Sequence, residues 1–178
     1  MSNQTIADIY AANDKIRAKL KKTVSKLNNE QISFLPEGEK WTIAHIVEHI
    51  AIVEDGMYKI SAKLLAKAQN AGKKSSGEAV LTASFGKKAA EARDLKFEAP
   101  DRVYPTGKLT INESLAKLEE NRQNLEKLRP LFESVECVDY TFPHPFMGEL
   151  TAHEWLTLVG GHEARHITQI ERILAQAN

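Results

Sequence analysis

Seven apolar residues, Ile43, Ile46, Ile50, Val53, Met57, Ile60 and Leu64, step by threes and fours without a miss. That spacing draws one apolar seam along a helix and cannot fit the period of two of a strand. A seam so narrow has to be buried against other helices that cross at a shallow angle. Thr42 stands where an N-cap is needed, with its hydroxyl ready for the free amides of the first turn, and Trp41 can pack back on that turn. The segment can run to about Asn70, before Gly72 and Ser75-Ser76-Gly77.

Three further stretches have the same period. Ile6, Ile9, Ile16, Leu20, Val24 and Leu27 define a helix from about Thr5 to Leu27, whose other face carries Lys15, Lys19, Lys22 and Lys26 as a solvated face. Another opens on Thr110-Ile-Asn-Glu113, a capping box, and carries Ile111, Leu115, Leu118, Leu125 and Phe132. The last follows His144-Pro145-Phe146-Met147-Gly148. It opens on a second capping box, Thr151 to Glu154, and carries Leu156, Val159, Ile170, Ile173 and Leu174. Almost nothing reads as a strand. Residues 71–108 are a long connection in which Ala79 to Ala92 can form a short helix, followed by Pro100, Pro105 and Gly107. The expectation is an all-α fold: a four-helix bundle with a long connection between its second and third helices, as one domain over residues 1–178.

Composition narrows the function. Lys+Arg and Asp+Glu both number 24, so the net charge is zero and the basic footprint of a nucleic-acid binder is missing. One cysteine, Cys137, excludes an internal disulfide and a cysteine metal cluster. The first residues are polar, and the most apolar run, Ile43 to Val53, is interrupted by His45, Glu48 and His49. No signal peptide and no membrane span are expected, and the expected location is the cytoplasm.

Chemistry concentrates in the histidines. His162 and His166 are four apart on the last helix and stack on one face, a spacing at which two imidazoles can share a cation. His45 and His49 repeat the spacing on the second helix. At about 100° per residue, His49 lies roughly 70° from the centre of its apolar stripe and His45 nearer 110°. His166 and His162 fall within about 40° and 80° of theirs. His49, His162 and His166 can therefore turn inward together, while His45 stays wet.

His162-Glu-Ala-Arg-His166 also matches the zinc-protease pentapeptide H-E-x-x-H. A protease would need Gly and His at positions 169 and 172, which hold Gln169 and Arg172, and the chain ends at Asn178, too soon for a downstream Glu ligand. Glu163 lies within about 20° of its stripe centre, where a bare carboxylate is costly. It can be the partner of an interior cation, a fourth ligand, or a base beside a metal-bound water. His144, in its proline-bracketed loop, and Gln169 can line the same site, although a surface turn is the plainer reading of His144.

Several of these segments resemble the DinB-like (damage-inducible, YfiT-like) metalloprotein superfamily, over nearly the whole chain. Trp41-Thr42 followed by His49 looks like that family's second helix and first ligand. Gly161-His162-Glu-Ala-Arg-His166-Ile-Thr-Gln169-Ile170 looks like its closing helix with two further ligands. Lys96-Phe-Glu-Ala-Pro100, Pro105-Thr-Gly107 and the lead-in His144 to Thr151 are similar as well. The resemblance implies a four-helix bundle holding a divalent metal, zinc or nickel, through His49, His162 and His166 with an open position, commonly as a homodimer. It also implies metal-dependent hydrolysis, or transfer involving a low-molecular-weight thiol, on a small-molecule substrate. Neither thiol nor water is selected by these residues. A helical binding or stress-response module without turnover, its histidines structural, is the competing reading.

Overall fold

The computed structural model describes residues 4–72, 74–75, 77–92 and 98–177. In chain order it forms α1 (Ile6–Val24), α2 (Asn29–Ser33), α3 (Ile43–Asn70), α4 (Ala83–Ala92), a 3-10 turn (Asp101–Val103), α5 (Ile111–Ser134), β1 (Thr141–His144), β2 (Gly148–Thr151) and α6 (Ala152–Ala177). The protein is thus mostly helical, and no helix among the described residues is long and apolar enough to cross a membrane.

Each long helix begins where its free amides find side-chain acceptors. Thr5 with Asp8 and Thr110 with Glu113 form reciprocal capping boxes, and Thr151 and Glu154 exchange the same pair of bonds at 2.9 and 3.3 Å. On α3 the box is Thr42 with His45, whose Nδ1 accepts from the Thr42 amide at 3.2 Å. The second helix therefore starts where the sequence places it, and its first histidine is occupied by the cap.

The core divides in two. One apolar cluster contains Ile6, Tyr10, Met57, Leu125, Phe132 and Leu156, and the other contains Leu20, Ile46, Ile50, Leu118, Ile167 and Ile170. Between them every long helix places a buried polar residue: Asn13 and Arg17 on α1, Glu54 on α3, Asn121 on α5, Glu163 on α6. The order of the clusters along each helix gives its direction. α1 and α6 pass from the first cluster to the second, whereas α3 and α5 pass from the second to the first. α3 packs on both α5 and α6, and α1 packs on α6 and α5. Since α3 and α5 run the same way, the chain between them must return along the full length of the helices. That return is why the 71–108 connection is long.

Three details depart from the sequence expectation. The first helix ends at Val24, before Leu27. The short helix in the connection begins at Ala83, after Ala79, while Lys96 and Phe97 of the expected motif lie outside the described residues. A hairpin replaces the expected loop before α6, pairing Thr141 with Thr151 and His144 with Gly148. Pro143 and Pro145 hide its alternation, but Pro143 needs no ladder donor on an edge, and Gly148 supplies the left-handed turn at φ +71°.

Candidate metal centre

His49 closes the second turn of α3, 4% exposed, with α6 packed beside it. His162 and His166 face it from α6. Ring centroids are 5.1 Å apart for His49–His162, 4.9 Å for His49–His166 and 4.5 Å for His162–His166. One ring nitrogen from each of the three lies within 4.8 Å of the others. The two histidines of α6 bring their Nε2 atoms to 3.2 Å.

The outer nitrogens fix two of the tautomers. His49 Nδ1 is 2.8 Å from the carbonyl of Val103, and His166 Nδ1 is 2.9 Å from Gln169 Oε1. A carbonyl oxygen only accepts, so Nδ1 of both rings carries the proton and Nε2 of both keeps its lone pair. Burial holds all three rings neutral. It lowers His49 against the raising effect of the Val103 carbonyl, lowers His166 to about 3, and puts His162 well below its ordinary value, since a proton there would also be repelled by any proton gained on its two neighbours.

Such a donor set fits a divalent cation. Nitrogens bound at about 2.1 Å around a tetrahedral ion stand roughly 3.4 Å apart, close to the 3.2 Å here. Lone pairs on neutral imidazoles are what such an ion needs, and the partners on Nδ1 are the kind that orient ligating histidines. No carboxylate or thiol among the described residues joins the group.

Val103 belongs to the 3-10 turn of a loop that is tied down by Glu48, the neighbour of His49. Glu48 is buried on α3; its Oε1 accepts from the Thr106 amide at 3.0 Å and the Thr106 hydroxyl at 2.5 Å, and its Oε2 accepts from the Gly107 amide at 2.9 Å. Burial raises the Glu48 pKa, but these bonds outweigh it and the carboxylate stays below its ordinary value. Gly107 has φ +70°, and a Cβ there would stand 2.9 Å from His45 Nε2, so this position needs glycine. Trp41 packs against His49 with ring centroids 4.6 Å apart and the planes tilted by 44°, and Tyr104 meets Trp41 edge-on at 5.2 Å.

Of the residues singled out from the sequence, His49, His162 and His166 come together and His45 does not join them. Gln169 holds His166. Glu163 turns the other way. Its two oxygens accept from Arg17 at 2.8 and 3.0 Å, and the same guanidinium also donates to Glu54 and to the Leu118 carbonyl. Two carboxylates against one guanidinium leave both hard to ionise. Burial raises Glu163, opposed by Arg17, and raises Glu54 to about 7. His144 ends β1, where the amides of Phe146 and Met147 both donate to its Nδ1 at 3.2 Å.

Sequence reasoning missed Glu48, Arg17 and Glu54. Signals were present: Asn13 and Arg17 continue the α1 stripe between Ile9 and Leu20, and Glu48 interrupts the most apolar run.

The matching family model, described as the DinB superfamily, covers residues 12–170. The chain belongs to the DinB superfamily. It is also similar to the uncharacterized protein YuaE of Bacillus subtilis (strain 168), with 28% identity over 149 residues, or 83% of this chain and 85% of that protein. The family match spans α3 and the part of α6 that together carry the three histidines.

Proposed function

We propose that this DinB protein holds a divalent metal, zinc or nickel, on His49, His162 and His166 and uses it on a small-molecule substrate. The four long helices are read as the family's four-helix bundle, with the site at the end where the second apolar cluster lies. The observation that carries the reading is the convergence of three neutral imidazoles, with Nδ1 of His49 and His166 each held by an acceptor of its own. A bound divalent ion with three neutral nitrogen ligands supplies Lewis acidity, enough to polarise a carbonyl, to ionise water near neutral pH or to hold a thiolate.

The protein's own residues do the rest. Val103 and Gln169 keep the protons of His49 and His166 on the outer nitrogens. Trp41 covers one face of His49, and Tyr104 stands against Trp41 on the solvent side. Glu163 is assigned to the interior ion cluster and not to proton transfer, since Arg17 takes both of its oxygens. The reaction is metal-assisted hydrolysis or transfer to a thiol; three protein ligands without a carboxylate favour an open position over a closed bracing site.

Elemental analysis of the untagged protein is the test. Near-stoichiometric zinc or nickel that is lost in His49→Ala, His162→Ala and His166→Ala is the expected result, followed by turnover in a small-molecule screen run with and without a reduced thiol. No metal after purification, and none taken up on titration near neutral pH, would leave a non-catalytic helical module.

A further inference from the structure

The connection between α3 and α5 is fastened to the first turn of α6 by two neighbouring buried side chains, His153 and Glu154. His153 uses both ring nitrogens. Nδ1 accepts from the Val80 amide at 3.1 Å, and Nε2 lies 3.3 Å from the Phe132 carbonyl near the end of α5. An amide N–H only donates and a carbonyl only accepts, so the ring is neutral with its proton on Nε2. Glu154 takes the Thr82 amide and hydroxyl on Oε1, at 2.9 and 2.6 Å, and the Thr151 amide on Oε2 at 2.9 Å. Thr82 in turn caps α4, its hydroxyl accepting from the Phe85 amide at 3.1 Å.

What these two residues hold is lightly held elsewhere. Of the ten residues of α4 only Phe85 is buried, and Leu81 and Ala89, four residues to either side, are half-buried on the same apolar cluster. Ten residues with Gly86 among them fall short of the ~12–15 at which an isolated helix begins to hold in water, so α4 depends on its attachments. Two more of these reach its backbone or the hairpin: Arg165 donates to the Ala92 carbonyl at 2.6 Å, and Lys88 Nζ donates to the Met147 carbonyl at 2.7 Å. Residues 80–92 thus form a strap tied to α6 at its first turn and again at the residue before His166. A segment with one large buried side chain and an exposed outer face is the kind that opens locally while the core stays closed.

We propose that His153 is an acid-released latch: when its ring gains a second proton, residues 80–92 detach from α6 as a unit while the four long helices stay packed. The proton has to enter at Nδ1, where it confronts the Val80 N–H, so the imidazolium can keep the Phe132 carbonyl but not Val80. Burial lowers the pKa of the ring, against the raising effects of the Phe132 carbonyl and the Glu154 carboxylate. On the segments packed around the ring, Glu133 beside Phe132 accepts from Arg129 at 3.0 Å, and Glu78 lies two residues before Val80 where the chain bridges to Thr5. Cys137, flanked by Glu136 and Asp139, is held as the neutral thiol by burial, and Lys88 of the strap is turned to Met147. For a histidine lowered by folding, the contribution to stability is complete above the unfolded value of about 6.5 and is lost as pH falls through the folded value.

The experiment is amide hydrogen exchange of wild type and His153→Asn between about pH 7.5 and 5.5, corrected for intrinsic rates and run with and without zinc. Asparagine keeps an acceptor for the Val80 amide and does not titrate. Opening of the strap amides in wild type is expected to rise between about threefold and tenfold over that range, with the amides of α5 unchanged. In His153→Asn the rise is expected to stay below about twofold. A flat profile in wild type overturns the proposal, and so does a wild-type slope in His153→Asn. An equal slope in α5 would make the opening global, and a slope that zinc abolishes would place the switch at the three histidines; either result overturns it. Should His153→Asn fail to fold, ring nitrogen NMR of the wild type decides: the strap amides must shift with the midpoint of His153, and a protonated Nδ1 at neutral pH refutes the latch.

Discussion

Glu48→Gln is the most direct test of how the centre is built. The substitution keeps size and one oxygen, but it removes the charge from three hydrogen bonds and turns an amide NH2 toward one of their donors. The Thr106 amide and hydroxyl can still find an acceptor, whereas the Gly107 amide, now 2.9 Å from Oε2, meets a donor. A hydrogen bond to a charged acceptor contributes about 1.5–3 kcal/mol, and water can reach the exposed backbone of Thr106 and Gly107 once the loop loosens. A net loss of about 2 kcal/mol follows, or roughly 4–8 °C in the melting temperature of a chain this size. The larger effect is on metal. The loop carries the Val103 carbonyl that holds His49 Nδ1–H, and removing such an outer partner typically costs 10–100-fold in metal affinity. Competition for zinc against a chromophoric chelator is the assay, with ring nitrogen NMR of His49 beside it. Wild-type zinc affinity in a Glu48→Gln protein whose melting point has fallen would refute the reasoning, because the loop would then be stabilised by Glu48 without orienting His49.

Other outcomes follow from the same geometry. His49→Ala is expected to lose metal while His45→Ala keeps it and loses about 1 kcal/mol of stability from the α3 cap, measured by urea unfolding and metal analysis; equal metal occupancy in the two would contradict the site. Gly107→Ala should cost about 1–2 kcal/mol, since it adds a left-handed φ and a contact with His45 Nε2 at 2.9 Å, and an unchanged melting point would show that the loop relaxes freely. Arg17→Met should destabilise by about 3–5 kcal/mol by stranding two buried carboxylates, with Glu54→Gln plus Glu163→Gln in the same background recovering much of it. In metal-free protein the raised pKa of Glu54 means that its contribution to stability is complete below pH 4.5 and lost as pH rises through about 7, on the order of 3 kcal/mol. Urea unfolding of Glu54→Gln against wild type between pH 5 and 8 measures that difference, and parallel curves would count against it.

The long helices and the three histidines were legible because both depend on local spacing. An unbroken series of threes and fours fixes one face of α3, and rotation about the axis then separates His49 from His45 without knowing what lies opposite. Direction and partnership are not local. That α3 and α5 run the same way appears only when the two apolar clusters are assigned, although the long connection hints at it. Arg17 and Asn13 sit on the α1 stripe but read as interruptions, because a buried ion is recognisable only once Glu54 and Glu163 face it from two other helices. The hairpin was hidden by its prolines, and with it the double donation that fixes His144.

The pentapeptide His162 to His166 shows most clearly what a motif leaves open. Spacing of four puts the two histidines on one face, and the residue after the first is rotated by about 100°. Whether that glutamate faces the metal or the interior depends on how the helix is rolled against its neighbours. Here α6 rolls so that both histidines meet His49 on α3, and the rotation carries Glu163 into the belt between the two apolar clusters. A carboxylate there needs a cation, and Arg17 on α1 provides two hydrogen bonds to it. The same five residues that would give a protease its ligands and its base thus give this protein two candidate ligands and one interior anchor. The packing partner on α1 makes the distinction, and the pentapeptide does not encode it.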